Sequence, residues 1–400
     1  MTTQTESRKR MARAMRPIYL DYQATTPTDP RVMAAMLPWF SERFGNPHSA
    51  SHAFGREAEE AVETARRRIA GVIGADPREI VFTSGATESN NLALKGVARF
   101  HAESKNHIVT CATEHKCVLE TAMQLEREGF SLTILPVGGD GLVDPAAVAA
   151  AIGKRTVAVS IMAANNEIGV LQPIAEIGRL CRERGVLFHT DAAQAVGEIP
   201  IDVDAMHVDL LSLTAHKIYG PKGIGALYVR RRPRVRLAAL FSGGGQERGM
   251  RSGTLPTPLC VGLGAACALA AEEMDGAAGM QGRLRDRFLA GIQARLPDVI
   301  VNGSLTARLP GNVNLSFPRL DGERLMARLP DLAVSTGSAC TSAAVEPSHV
   351  LRAIGVPEAL ARASLRFSFG RPTTEDEVER AVGRLADEVE GLRQDPSGGA

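Results

Sequence analysis

The stretch Ile80-Val-Phe-Thr-Ser-Gly-Ala-Thr-Glu-Ser-Asn-Asn91 contains the unit from which the chain is built: a short apolar strand, a turn of small residues, and the opening of a helix that continues through Leu94 to Arg99. A helix begun in this way offers main-chain N–H groups and the positive end of its dipole to an anion, with Ser and Thr hydroxyls beside them. The same residues also read as a simple capping arrangement with Ser84 or Thr87 as the cap. At this point both readings stand.

Working outward, the unit recurs. His107-Ile-Val-Thr110 is a predicted strand, followed by Glu114-His-Lys116 and a helix to about Glu128. Leu132 to Leu135 is a strand and Ala146 to Ile152 a helix; Thr156 to Ile161 is a strand ending in Ala164-Asn-Asn-Glu-Ile-Gly169, with a helix after Pro173. Val186 to Thr190 is a strand ending in Asp191-Ala-Ala-Gln194. Alternation of this kind over about 150 residues predicts a mostly parallel sheet covered by helices on both faces. In such sheets ligands bind off the carboxyl ends of the strands. Next, Leu210 to Leu213 delivers Lys217 into the glycine-punctuated loop Gly220-Pro-Lys-Gly-Ile-Gly225, before a strand at Ala226 to Val229. A lysine at a strand end can hold a carbonyl compound as a Schiff base. Thr87, His115, Asn166, Asp191, Gln194, His216 and Lys217 each follow a strand's carboxyl end and are predicted to converge on one site.

Upstream lie a short strand and turn at Ile18 to Pro27, an irregular loop at Phe44-Gly-Asn-Pro-His-Ser49, and a helix from His52 to Ile73 with Ala58, Val62, Ala65 and Ile69 on its apolar face. Downstream of about Glu272, helices (Met280 to Leu296, Glu323 to Leu329, Glu375 to Leu392) mix with strands (Asn312 to Phe317, Leu365 to Phe369), the pattern of a smaller α+β domain. The expected organisation is a disordered tail over 1–16, a segment 17–30 joining the small domain, a large domain over 31–271, and a small domain over 272–400. Within the last, Val334-Ser-Thr-Gly-Ser-Ala-Cys-Thr-Ser-Ala-Ala-Val345 has only small neighbours around Cys340. A mobile loop that presents the thiol and a buried free cysteine are the two readings.

Composition narrows the function. With 400 residues, 44% apolar, 23% charged and a net charge of +1, nothing pulls the whole chain toward nucleic acid or a membrane. The run Arg230-Arg-Arg-Pro-Arg-Val-Arg236 reads as a docking patch or a solvated connection. The apolar stretch Leu259 to Ala271 is too short to span a bilayer and is expected to be a buried helix. The basic first 16 residues have no apolar core segment, so no secretory signal is expected. The six cysteines fall at no disulfide or metal-ligand spacing, which predicts no metal site and a reduced, cytoplasmic compartment.

Across nearly its whole length the chain resembles the pyridoxal-phosphate-dependent cysteine desulfurases of the NifS/IscS type, within the fold-type I, class V aminotransferase superfamily. The resemblance is carried by Tyr19-Leu-Asp-Tyr-Gln-Ala-Thr-Thr-Pro, Phe82-Thr-Ser-Gly-Ala-Thr-Glu-Ser, Glu114-His-Lys, Asn165-Asn-Glu-Ile-Gly, Asp191-Ala-Ala-Gln, His216-Lys-Ile-Tyr-Gly-Pro-Lys-Gly, Arg248-Gly-Met-Arg-Ser-Gly-Thr254 and Ser338-Ala-Cys-Thr-Ser342. It implies a seven-stranded, mostly parallel sheet in the large domain, a homodimer, and pyridoxal 5'-phosphate on Lys217. By position, Asp191 would face the pyridinium nitrogen, His115 stack on the ring and Gln194 bond the phenolic oxygen. Ala86, Thr87, Thr214 and His216 would hold the phosphate, with Thr254 reaching over from the second subunit. Asn166 would also lie at the cofactor and, with Arg366, grip the substrate carboxylate. Catalysis would rest on Lys217, His115 and Cys340: L-cysteine gives up its sulfur to Cys340 as a persulfide and leaves as alanine. The sulfur would serve iron–sulfur cluster assembly, and possibly tRNA thiolation, through a scaffold protein or other acceptor. Thr214-Ala215 stands where most relatives have Ser-Gly, and beside the C-terminal docking tail that the resemblance implies, Gln394-Asp-Pro-Ser-Gly-Gly-Ala400 would be a shortened form. An aminotransferase or selenocysteine lyase on the same fold is the competing reading.

Overall fold

The computed structural model describes residues 16–336 and 347–395; the N-terminal tail, Cys340 with 337–346, and residues 396–400 lie outside the described residues. The chain folds as two compact units, one of residues 23–278 and 303–309, the other of residues up to 22, 279–302 and 310 onward.

The larger unit is built on a seven-stranded sheet. Its strands are β1 (Ile80–Thr83), β2 (His107–Cys111), β3 (Ser131–Leu135), β4 (Thr156–Ser160), β5 (Leu187–Asp191), β6 (Leu210–Thr214) and β7 (Gly225–Val229). The spatial order is β1-β7-β6-β5-β4-β2-β3. β2, β3, β4, β5 and β6 pair in parallel, while β7 is antiparallel to both β6 and β1, so β7 alone runs against the rest. Covering helices include α1 (Ala53–Val72), α2 (Ala86–His101), α3 (Lys116–Arg127), α4 (Pro145–Ala151) and α5 (Ile174–Glu183).

Alternation of side chains across the pleat divides the apolar residues between two cores. Ile80 and Phe82, Leu211 and Leu213, and Ala226 and Tyr228 pack with Val62 and Ile69 of α1 and with Ile73 just after it on one face. Val81, Leu210, Leu227 and Val229 pack with Leu92, Leu94 and Val97 of α2 and Val118 and Leu125 of α3 on the other. Strands buried on both faces read as nearly continuous apolar runs, as β1 and β7 do and as β6 does apart from Ser212. Each large side chain buried this way stabilises the fold by about 1.5–3 kcal/mol.

The smaller unit has a three-stranded antiparallel sheet, with Asn312–Ser316 between Ser364–Ser368 and Ile300–Val301. A parallel pair, Ile18–Tyr19 with Leu332–Ala333, lies in the same unit. Phe288, Phe317, Phe367 and Phe369 centre its core, and the ring centroids of Phe288 and Phe367 are 4.7 Å apart. Its last helix, Glu375–Gln394, opens with a capping box between Thr374 and Glu377.

Two expectations meet a different arrangement. The helices expected at Leu259–Ala271 and Met280–Leu296 are one helix of 39 residues, α6 (Thr257–Arg295). The intervening Glu272-Glu-Met-Asp-Gly-Ala-Ala-Gly279 contains no proline, and its glycines weaken a helix without ending it. The division between units at 278/279 falls inside α6, and the one near the N-terminus at 22/23, against the expected 271/272 and 30/31. Segment 23–29 belongs to the larger unit because its main chain is tied to the lysine turn: Thr26 N donates to His216 O and Asp29 N to Tyr219 O, both at 2.9 Å.

Candidate active site at the carboxyl edge of the large sheet

Since the strands are parallel, the turns after β1, β2, β4, β5 and β6 lie on one edge of the sheet. β6 ends at Thr214 and runs through a single 3-10 turn, Ala215–Lys217. Lys217 is half-buried, and its Nζ donates to the carbonyl oxygens of Gln23 and, at 2.9 Å, Ala24. The turn is held by its neighbours: Thr26 Oγ1 donates to His216 O at 3.0 Å and accepts from Tyr219 N at 2.9 Å. Tyr219 sits at φ +62°, a left-handed conformation that a tyrosine adopts only when its surroundings require it. His216 Nδ1 lies 3.2 Å from Thr25 Oγ1. Burial and then the Lys217 charge depress the His216 pKa to about 4, so the ring is neutral at pH 7.

β5 ends at Asp191, a carboxylate buried to 5% exposure. Its Oδ1 accepts the Ala193 N–H at 2.9 Å and its Oδ2 the Asn90 side-chain amide at 2.7 Å. Two residues earlier on β5, His189 bridges Ser160 of β4 and Ser212 of β6 at 2.8 and 3.1 Å. Complete burial pushes its pKa down to about 3.

His115 caps α3. Its Nδ1 accepts the Cys117 N–H at 3.1 Å, which assigns the ring proton of the neutral histidine to Nε2. Burial lowers its pKa; the Asp191 charge opposes the shift, and Lys217 and Lys116 add to it. Glu114 beside it is fully buried and accepts Met162 N–H at 2.5 Å. Desolvation, reinforced by the Asp191 charge, raises the Glu114 pKa well above the carboxylate range. The turn after β4 is tied to the same place: Asn165 Nδ2 donates to Thr113 O at 2.8 Å, and its Oδ1 accepts the N–H groups of Glu167 and Ile168. Asn166, half-buried, rides on that turn.

The turn after β1 leaves an open helix end. α2 starts behind Gly85, which has φ +154° and supplies no side-chain cap. The capping reading of Ser84 and Thr87 therefore gives way to a helix whose first N–H groups are not covered by a cap. Glu88 of the first turn is folded back onto Ser84 N at 2.7 Å and Arg251 Nε at 2.9 Å. Burial works against the Glu88 carboxylate, yet the bonds from Arg251 and Ser84 hold its pKa below the ordinary value. A Cβ on Gly85 would lie 3.8 Å from Thr214 Oγ1, and one on Gly225 only 2.7 Å from Gly85 Cα. The glycines let β7, the end of β6 and the α2 terminus close around a small cradle. Uncapped N–H groups, a threonine hydroxyl and a helix dipole suit a phosphate.

Gln194 donates from Nε2 to Gln23 O at 3.0 Å. Thr87 and Thr254 are exposed, and Ala86 is half-buried at the first position of α2. Arg366 is in the smaller unit, buried, with Nη2 2.6 Å from Asp21 Oδ1. Cys340 lies outside the described residues. Among the described residues no group of three or more His, Cys, Asp or Glu is arranged to hold a metal ion, and no helix is long and apolar enough to cross a membrane. The basic run borders a cavity of about 570 Å³, lined by Arg78, Arg231, Arg232, Arg234, Arg236 and Arg248 among others, that shares no residue with the lysine site.

Sequence reasoning passed over Asn90, Glu114 and Asn165. Asn90 carried a signal: it is a polar residue in the stripe Ala86, Asn90, Leu94, Val97, where helical spacing calls for an apolar one.

Residues 18–381 match the class-V aminotransferase family. The chain is 58% identical over 378 residues to the cysteine desulfurase IscS of Rickettsia felis, spanning 94% of this chain and 92% of that one. Among solved structures it is similar to a NifS-like protein (37% identity, TM-score 0.88, covering 94% of this chain and all of the other). A second is SspA in complex with cysteine (42% identity, TM-score 0.79, covering 89% and 99%). The chain belongs to the class-V aminotransferase family and, within it, to the cysteine desulfurases of the NifS/IscS type.

Proposed function

We propose that this cysteine desulfurase removes the sulfur of L-cysteine at the Lys217 site, with pyridoxal 5'-phosphate as cofactor, and passes it to Cys340. The observation that carries this reading is the meeting at one sheet edge of an amine, a buried carboxylate with fixed donors, a neutral histidine and an uncapped helix end. The α2 terminus, Thr87, Thr214 and His216 would hold the phosphate, Asp191 the ring nitrogen, His115 and Asn166 the ring, and Gln194 its phenolic oxygen. Bound there, the cofactor would supply a ring that accepts the electron pair left when the substrate Cα loses its proton.

The chain's own groups do the rest. Lys217, as the free amine, would take up the Cα proton. His115, neutral with its proton on Nε2, donates that N–H as a hydrogen bond at the substrate, and acts as acid or base only when Nδ1 is released from the Cys117 N–H. Arg366 and Asn166 hold the substrate carboxylate, a task for which the arginine fork is suited. The Cys340 thiolate uses a lone pair to bond the substrate sulfur. The C–S bond breaks with its electron pair staying on carbon, and the three-carbon product is protonated and leaves as alanine. Thr254 completes the phosphate site of a second copy in a cytoplasmic homodimer. The persulfide sulfur then goes to an iron–sulfur scaffold or another acceptor. The test is alanine release from L-cysteine with a reductant present: Lys217→Ala is expected to lose both turnover and the visible absorbance of the bound cofactor. Retention of both would overturn the assignment.

A further inference from the structure

We propose that Asn90 is a positioning residue: by fixing the carboxylate of Asp191 it sets the proton held between that carboxylate and the cofactor ring nitrogen. The inference rests on the role given to Asp191 above.

Asn90 is fully buried in the second turn of α2, the helix whose first turn forms the phosphate cradle. Its Nδ2 donates to Asp191 Oδ2 at 2.7 Å and lies 3.1 Å from Cys117 Sγ. The other carboxylate oxygen is taken by the Ala193 N–H. A carboxylate can only accept, so these two donors fix its rotation. The amide oxygen of Asn90, although buried, has no hydrogen-bond partner among the described residues. Turning the amide over would set that oxygen against Asp191, so the side chain is held in the one orientation that points a donor at the carboxylate. Packing does not account for an amide here, since the neighbouring Leu94 and Val97 in the stripe are apolar, and a buried unsatisfied acceptor is unfavourable. The groups facing Asp191 from the other elements are Glu114 and His115 of the turn after β2 and Cys117 of α3. Burial, with the Asp191 charge adding, pushes the Cys117 thiol up to about 12, so it stays protonated. Cys117, Asn90 and Asp191 thus form a line of contacts from α3 through α2 to the ring-nitrogen carboxylate.

The test uses holoenzyme of the wild type, Asn90→Leu and Asn90→Asp. Asn90→Leu keeps the volume and removes the donor. The pH midpoint of the bound cofactor's visible absorbance is expected to shift upward, because a ring nitrogen less firmly protonated draws less charge from the rest of the ring. kcat for alanine release is expected to fall roughly tenfold or more, the weight of a hydrogen bond to a charged group. Asn90→Asp can donate to Asp191 only while it holds a proton, so its rate relative to wild type is expected to fall as pH rises. A lowered Tm with an unmoved absorbance midpoint in Asn90→Leu, or a pH-independent rate ratio in Asn90→Asp, would overturn the proposal. A wild type with no visible band on adding pyridoxal phosphate overturns instead the reading of the site on which the proposal depends.

Discussion

Glu247→Ala tests how the cradle is anchored. Glu247 starts the turn that leads to Arg251 and Thr254, and it holds φ +49°, with Arg248 after it at +58°. Its carboxylate accepts from Arg66 Nη2 at 2.8 Å, from Arg66 Nη1 at 2.9 Å, and from the main-chain N–H of Phe82 in β1 at 2.7 Å. The two side chains are 5% and 2% exposed. Arg66 also donates to Ile80 O at 2.8 Å and lies 4.8 Å above the Phe82 ring. Removing the carboxylate leaves a buried guanidinium whose next counter-charge, Glu63 at 3.0 Å, is 45% exposed and screened. Breaking a buried pair from one side costs about 3–5 kcal/mol. At roughly 2 °C per kcal/mol for a unit of this size, the Tm is expected to fall by about 6–10 °C. Arg66→Met with Glu247→Leu removes both charges at once, and is expected to recover most of that loss, because apolar replacements of a buried pair are often neutral. Thermal and urea unfolding of the two single variants and the double variant measure the coupling. A Glu247→Ala protein within about 1 kcal/mol of wild type, or a double variant no better than the sum of the singles, would refute the reasoning.

Three further outcomes follow from the same contacts. His189 is neutral in the folded state with a pKa near 3, against about 6.5 when unfolded. Its contribution is fully present above pH 6.5 and is lost as pH falls toward 3, so stability should drop across that window in urea titrations, with a shallower drop in His189→Gln. Gly225→Val would place a Cβ 2.5 Å from Leu213 O and 2.7 Å from Gly85 Cα, both main-chain atoms that cannot swing aside. It is expected to lower the Tm and weaken binding of pyridoxal phosphate to apoprotein by tenfold or more, read by absorbance titration. Asn165→Ala cuts the side-chain bonds that join the turn before His115 to the turn carrying Asn166. About 1–3 kcal/mol of stability should go with them, together with a raised KM for L-cysteine.

Much of the large sheet was legible because strand and turn signals there are local. β1 is found at Ile80–Thr83, where the apolar run Ile-Val-Phe meets Thr-Ser-Gly, and Lys217 ends the single turn that follows β6. The convergence of Asp191, His115 and Lys217 followed from parallel strand direction alone. The union of two expected helices into α6 was not legible, since glycine in a helix is a modest penalty that neighbouring turns can absorb. The attachment of segment 23–29 to the lysine turn was also hidden, because Thr26 and Tyr219 are 193 residues apart and nothing local announces their bond. Asn90 could have been singled out as a misplaced polar residue, but its partner, 101 residues away, could not.

The most direct test of the account follows the sulfur. Holoenzyme is incubated with L-cysteine without reductant, alkylated, digested and weighed by mass spectrometry. One extra sulfur on the Cys340 peptide of the wild type, and none in Lys217→Ala, is the predicted result. Steady alanine release with no sulfur ever found on Cys340 would contradict it.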